Sequence, residues 1–303
     1  MAERGITPEE QQTAAALVAR ARGAMTQADS LDQIAVDRLC RAIAWAAGNE
    51  TTARRLAEMS VAESGMGSPE PSRRAKVLGI LRDALRQKSM GIIEEIPEKG
   101  IVKYAKPAGV IASLIPVTSP YVTPIGIAIY AVKCKDAVIF SPHPGSRRTT
   151  NETVRLLRAA LNELGAPVDL LQCVERPRIP LAQALMASCD LTIATGGPPM
   201  VRAAYSSGKP AYGVGAGNAT MVIDETADIV EAARNSATSK TNDYGSGCSA
   251  DGNLIVESSI YDAFLARLEA EGGYVVNQQE KELLRKAYWD GQGRRTGAAI
   301  ARP

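Results

Sequence analysis

The chain has 303 residues, and its 35 basic side chains nearly balance 33 acidic ones, leaving a formal charge of +2. That balance excludes a nucleic-acid footprint and a charged binding tail, and it points to small-molecule partners. With 45% hydrophobic and 22% charged residues, the chain is not disordered and can bury one large α/β domain or two smaller ones.

The N-terminus, MAERGITPEE, lacks a basic-then-apolar signal pattern. Thr7-Pro8-Glu9-Glu10 supplies an N-cap, a proline at the first helical position and a capping-box glutamate. Ser30 with Gln33 repeats the pattern before IAVDRLCRAIAWAAG, and Gly48 and Gly65 read as helix stops. Residues 73–87 carry Val77, Leu78, Ile80, Leu81 and Leu85 at helical spacing. A hairpin follows over about 92–107, around Glu98-Lys99-Gly100.

Pro107 to Val132 runs without a charge, long enough to raise the question of a membrane span. Pro107, Pro116, Pro120 and Pro124, with Thr118, Ser119 and Thr123, instead break it into a buried strand, a turn and a helix. GVIASLIPV (109–117), DAVIFS (136–141), VDLLQCV (168–174) and DLTIAT (190–195) are short apolar runs separated by helical segments. This rhythm predicts a βαβ series and a parallel sheet, which binds ligands beyond the carboxyl ends of its strands.

The loops at those ends are IPVTSP (115–120), SPHPGSRR (141–148) and ATGGPPM (194–200). The last passes through Gly196-Gly197 into a helix closed by Gly208, so free N–H groups at the helix start can hold a phosphate; a tight strand-to-helix turn explains the glycines equally well. His143 is the chain's one histidine, read either as a turn residue between prolines or as a polar contact to a cofactor.

Five cysteines, Cys40, Cys134, Cys173, Cys189 and Cys248, lack paired C-x-x-C spacing, which argues against a disulfide framework and against a zinc site. A reducing cytoplasm suits them best. Cys248 stands apart, in SKTNDYGSGCSADG (239–252). Cysteines more often serve as small buried hydrophobes, but Gly245 and Gly247 remove bulk so that a carbonyl can approach both the sulfur and nearby N–H groups.

AKPAGVIASLIP, KCKDAVIFSPHP, ATGGPPMVRAAYSSGKPAYGVGAGNATMVIDETADI and SKTNDYGSGCSADGNLIVESSIYDAF resemble the aldehyde dehydrogenase superfamily, in particular its coenzyme A-acylating branch. The resemblance implies a Rossmann-type NAD(P) domain with N-terminal helices (1–217), a partial catalytic α/β domain (218–303), and a bridging hairpin that helps form homodimers or homotetramers. It places the nucleophile at Cys248, which forms a thiohemiacetal and then a thioester. It places cofactor contacts at Ile115, Pro116, Ser141, Pro142, His143, Thr195, Gly196, Gly197 and Gly215. Hydrolytic relatives carry a Glu-Leu-Gly-Gly segment whose glutamate activates water; here Gly213-Val214-Gly215-Ala216-Gly217-Asn218 stands instead. With no base to make hydroxide, the acyl-enzyme is expected to wait for coenzyme A.

Two departures from the family pattern stand out. Thr118-Ser119-Pro120 replaces the usual oxyanion Asn before proline, so hydroxyls take the place of an amide and the aldehyde is expected to differ from acetaldehyde, with anionic sulfoacetaldehyde a candidate. The resemblance also implies a further segment after residue 303, including a glutamate that binds the nicotinamide ribose. Arg147 and Arg148 can meet a 2′-phosphate, but arginines opening a surface helix are usually just solvated, so NAD is the default over NADP. Two alternatives remain at this stage. One is a non-catalytic nucleotide-binding or assembly subunit; the other is a cysteine hydrolase pairing Cys248 with His143.

Overall fold

The computed structural model describes residues 5–67, 73–245, 247–294 and 296. Ser246 and the tail 297–303 lie outside the described residues. The chain forms two compact units that divide between Gly215 and Ala216.

The first unit opens with helices α1 (Pro8–Ala28), α2 (Gln33–Gly48), α3 (Glu50–Ser64) and α4 (Arg74–Arg86). The capping box at α1 forms as read: Glu10 N–H donates to Thr7 Oγ1 at 3.3 Å, and Thr7 N–H donates to Glu10 Oε2 at 3.0 Å. The cap of α2 is a correction. Asp32, not Ser30, accepts from Ala35 N–H at 2.8 Å, because a carboxylate one residue before the helix reaches its first turn directly. Gly65 ends α3 in the left-handed region at φ 69°, as a glycine stop should. Gly48 also stands where its helix ends, though without a left-handed φ. It is the last residue of α2, and a Cβ there would sit 3.2 Å from Val77 Cγ1, so its role is close packing against α4.

A hairpin of β1 (Gly91–Ile96) and β2 (Ile101–Ala105) then turns at Gly100, with φ 61°. Beyond it come β3 (Val110–Leu114), α5 (Val122–Lys133), β4 (Ala137–Ser141), α6 (Arg147–Glu163), β5 (Leu171–Cys173), α7 (Ile179–Ser188), β6 (Leu191–Thr195), α8 (Pro198–Tyr205) and β7 (Ala211–Val214). The uncharged run therefore resolves into strand, turn and helix, and no described helix is long and apolar enough to cross a membrane.

The five strands β3 to β7 form one parallel sheet in the order β5-β4-β3-β6-β7. Every residue of β3 and β4 is buried, which is why they read as unbroken apolar runs. Helices α1 and α7 pack on one side of the sheet, while α5 and α6 pack against β4 and β5. Phe140, Ile139, Leu157 and Leu161 are fully buried between them. Losing Phe140 to alanine would cost about 3–5 kcal/mol.

The chain order reverses between β3 and β6, and the carboxyl ends of the strands at such a reversal are the position where sheets of this kind take ligands. At the amino ends of the strands, carboxylates take up free N–H groups: Gly109 N–H donates to Asp136 Oδ1 and Val110 N–H to Asp190 Oδ2, both at 2.8 Å.

The second unit pairs β8 (Ala219–Ile223) with β9 (Asp251–Val256) in parallel and carries α9 (Ile229–Thr241), α10 (Tyr261–Ala270) and α11 (Gln278–Tyr288). Its small core gathers Ile223, Ala233 and Phe264. Asp228 caps α9 by accepting from Glu231 N–H at 3.0 Å.

Candidate active site

In the first unit the loops at the carboxyl ends of β3, β4 and β6 hold the residues that the sequence singled out. Ile115 is buried, and its N–H donates to the Ser141 carbonyl at 3.0 Å, so the loops after β3 and β4 leave the sheet locked together. A Cβ on Gly145 would lie 3.7 Å from Val117 Cγ2, and the two loops stay in contact beyond the sheet. Thr118 and Ser119 are half-buried, and their hydroxyls make no hydrogen bond to the described residues. Arg73, unremarked in the sequence, donates from Nη1 to the Thr118 carbonyl at 2.6 Å and fixes the turn that presents those hydroxyls.

His143 takes the turn role. Its Nδ1 accepts from Gly145 N–H at 3.1 Å and caps the short helical turn Pro144–Ser146, and desolvation of the ring lowers its pKa. Ser141 is buried at the end of β4.

The start of α8 offers fewer donors than Gly196-Gly197 suggested. Pro198 and Pro199 occupy its first positions and have no N–H, Gly196 N–H is taken by the Val214 carbonyl at 3.0 Å, and Met200 N–H by the Gly197 carbonyl at 3.0 Å. Gly197 N–H and the Thr195 hydroxyl are what remain for an anion. A phosphate at this turn would thus have few polar contacts from α8 itself.

Gly213 is needed for packing. A Cβ there would come within 2.7 Å of Tyr205 and of Val201, and its N–H donates to Tyr205 Oη at 3.1 Å. Gly215 is under no such constraint, since Val201 Cγ2 would be 3.8 Å away.

In the second unit, Cys248 lies in the turn between a short 3-10 segment (Asn242–Gly245) and β9. Two residues there take positive φ, Tyr244 at 53° and Gly245 at 70°. The chain can then pass close to Lys240, whose carbonyl would be 3.1 Å from a Cβ on Gly245. On the other side a Cβ on Gly217 would overlap the Cys248 carbonyl oxygen, so only glycine admits the loop. Gly252 packs in the same way against the Asn218 side chain. The Cys248 N–H has no acceptor among the described residues, which leaves it available to an incoming oxygen.

Exposure separates Cys248 from the other thiols. Cys40 and Cys189 are buried and Cys134 and Cys173 half-buried, whereas Cys248 is exposed. Burial pushes Cys40, Cys173 and Cys189 up to about 12, and it raises Cys134 as well. Those four thiols are poor nucleophiles at neutral pH. The described residues contain no cluster of three metal-ligating side chains.

Comparison with known proteins places this geometry in a family. The aldehyde dehydrogenase family model matches residues 6–279. A sulfoacetaldehyde dehydrogenase of an Acholeplasma species is 42% identical over 275 residues, which is 90% of this chain and 57% of the relative. The crystal structure of an acetylating aldehyde dehydrogenase from Geobacillus thermoglucosidasius superposes with a TM-score of 0.85 at 35% identity, over 97% of this chain and 66% of the other. Propionaldehyde dehydrogenase of Rhodopseudomonas palustris, solved with bound propionyl-CoA, gives a TM-score of 0.77 at 29% identity, over 93% and 63%. The chain spans little more than half the length of the curated relative, and the family match runs through both of its units. A parallel sheet with a reversal of strand order, a glycine-lined exposed thiol and a family match that runs over residues 6–279 make this chain a member of the aldehyde dehydrogenase family.

Proposed function

We propose that this chain carries the nucleotide-binding and thiol-bearing parts of a coenzyme A-acylating aldehyde dehydrogenase, with Cys248 as the nucleophile. The observation that carries the reading is that Cys248 is the exposed thiol of the five, with an unengaged N–H and a glycine against its carbonyl. The sulfur adds to the aldehyde carbon as a thiolate, and the carbonyl oxygen takes the resulting charge, with the Cys248 N–H as a donor toward it. A bound nicotinamide would supply the hydride acceptor that turns this adduct into a thioester. The thioester left on Cys248 then passes its acyl group to the coenzyme A thiol, which releases the Cys248 thiolate. Segment 213–218 holds no carboxylate to raise hydroxide, so the coenzyme A thiol is favoured over water as acceptor. The acetylating and propionyl-CoA-bound relatives support this outcome.

The test is acylation by intact mass. An acyl-CoA, run in the reverse direction, should add one acyl group per chain, and Cys248→Ala should abolish it while nucleotide binding survives. Acylation that persists in Cys248→Ala removes this residue from the role.

For the substrate, an anionic short aldehyde such as sulfoacetaldehyde is supported by the relative's specificity, by the unengaged hydroxyls of Thr118 and Ser119, and by the Arg73 guanidinium against the same loop. A panel of aldehydes with coenzyme A, followed by NADH absorbance in the full-length protein, should rank sulfoacetaldehyde above acetaldehyde in kcat/KM. The reverse order would discard it. The hairpin β1–β2, which exposes Val102 and Tyr104, supports a homo-oligomer, to be measured by sedimentation.

A further inference from the structure

At the carboxyl end of β4, where the next helix begins, α6 carries a serine in its N-cap position and does not use it. Ser146 makes no side-chain cap bond, and its Oγ is buried without a hydrogen-bond partner among the described residues. The first turn of α6 is satisfied from outside the sheet. Glu63, in the last turn of α3, accepts from Arg148 N–H through Oε1 at 2.8 Å, and from Thr149 N–H and the Thr149 hydroxyl through Oε2, each at 2.8 Å. The helix N-terminus, with its N–H groups and its positive dipole end, is therefore already filled by a carboxylate.

In a Rossmann-type sheet, the end of the second strand is where the adenosine ribose is read. An acidic group there favours a free 2′-hydroxyl, and a cationic one accepts a 2′-phosphate. The turn after β4 itself, Ser141-Pro142-His143, offers no carboxylate. Arg147 and Arg148 are exposed beside it, but the N–H groups that would complete an anion site with them are taken.

We propose that Glu63 is the residue that sets cofactor choice. By occupying the start of α6 it denies a 2′-phosphate both its donors and its favourable field, and so selects NAD over NADP. This inference rests on the dehydrogenase reading above, because it presumes that a nicotinamide dinucleotide lies at the carboxyl ends of the strands. It also differs from a purely structural role, in which Glu63 only ties α3 to α6. Such a tie would leave the ratio of NADPH to NADH affinity unmoved.

The experiment titrates the full chain with NADH and with NADPH by fluorescence, at low and high salt, and repeats this with Glu63→Gln. Wild type should bind NADH more tightly. Because the proposed discrimination is repulsion by a carboxylate, raising the salt should narrow the gap. Glu63→Gln should gain about tenfold in NADPH affinity, the scale of one like-charge contact removed, with NADH affinity within about twofold of wild type. The salt arm needs no variant and decides the matter even if Glu63→Gln fails to fold. NADPH bound as tightly as NADH by wild type, a gap that widens with salt, or a folded Glu63→Gln with an unchanged ratio would each overturn the proposal while leaving the dehydrogenase reading intact. Failure of wild type to bind either nucleotide would overturn both.

Discussion

Gly217→Ala tests the thiol loop most directly. Gly217 has no left-handed φ, so alanine meets no backbone penalty of its own, and the whole effect comes from one methyl overlapping the Cys248 carbonyl oxygen. Relieving the overlap needs the two segments to part by roughly 1 Å, a displacement that costs about 10² in rate where a reacting atom must be held in place. The stability cost of such overpacking is about 1–3 kcal/mol, offset by about 0.4–1 kcal/mol from the stiffer unfolded chain. The assay is the rate of Cys248 acylation by an acyl-CoA, read by intact mass, beside a thermal melt. Gly23→Ala is the control. Gly23 lies inside α1 with nothing within 4 Å of an added Cβ, so the change should stabilise by about 0.5–1 kcal/mol and leave acylation untouched. A Gly217→Ala protein that acylates at the wild-type rate would refute the claim that this contact holds the nucleophile.

Two further outcomes follow from the same structure. Native alkylation at pH 8 should modify Cys248 and spare the thiols pushed up to about 12, whose thiolate fraction is about 10⁻⁴ at that pH; peptide mapping that finds Cys40 or Cys189 labelled as fast would contradict their burial. Asp136 is raised by burial to about 6 from 3.8, even though Gly109 N–H bonds to it. A carboxylic acid with a raised folded pKa costs the fold stability as pH climbs from about 4 to about 6 and beyond. Asp136→Asn should therefore raise the melting temperature at pH 8, by an amount worth about 2–3 kcal/mol, and this gain should shrink toward pH 4. A gain that is the same at both pH values would sink the assignment.

Local chemistry was legible in the sequence wherever the partners lie within a few residues. Thr7 and Glu10 read as a capping box because the bond spans one helical turn. The strands β3 and β4 were readable because burial on both faces leaves a nearly continuous apolar run, whereas β6 alternates buried and half-buried positions. The cap of α2 was misread within the same short range, since both Ser30 and Asp32 are good cap residues and only the path of the chain chooses between them. The prolines of α8 were visible, yet their cost in N–H donors showed only once the helix start was placed. Glu63 at α6, Arg73 at Thr118 and Gly217 at Cys248 were beyond reach, for each is a contact between distant segments that no spacing encodes. In each case the chemistry-bearing loop was evident while its support was not.

The hairpin β1–β2 has a consequence for how the chain meets copies of itself. A two-stranded ribbon has two open edges, each able to recruit another strand. Here the register slips between Ile92 and Glu94, and Lys103 pairs with Glu94 across the strands, which twists the ribbon and sets charge along it. Strand addition at the edges is thereby discouraged, while Val102 and Tyr104 still share one exposed side of the ribbon. Any chain that met this ribbon would find side chains to lie against in place of a backbone to extend, which separates ordered assembly from fibril growth.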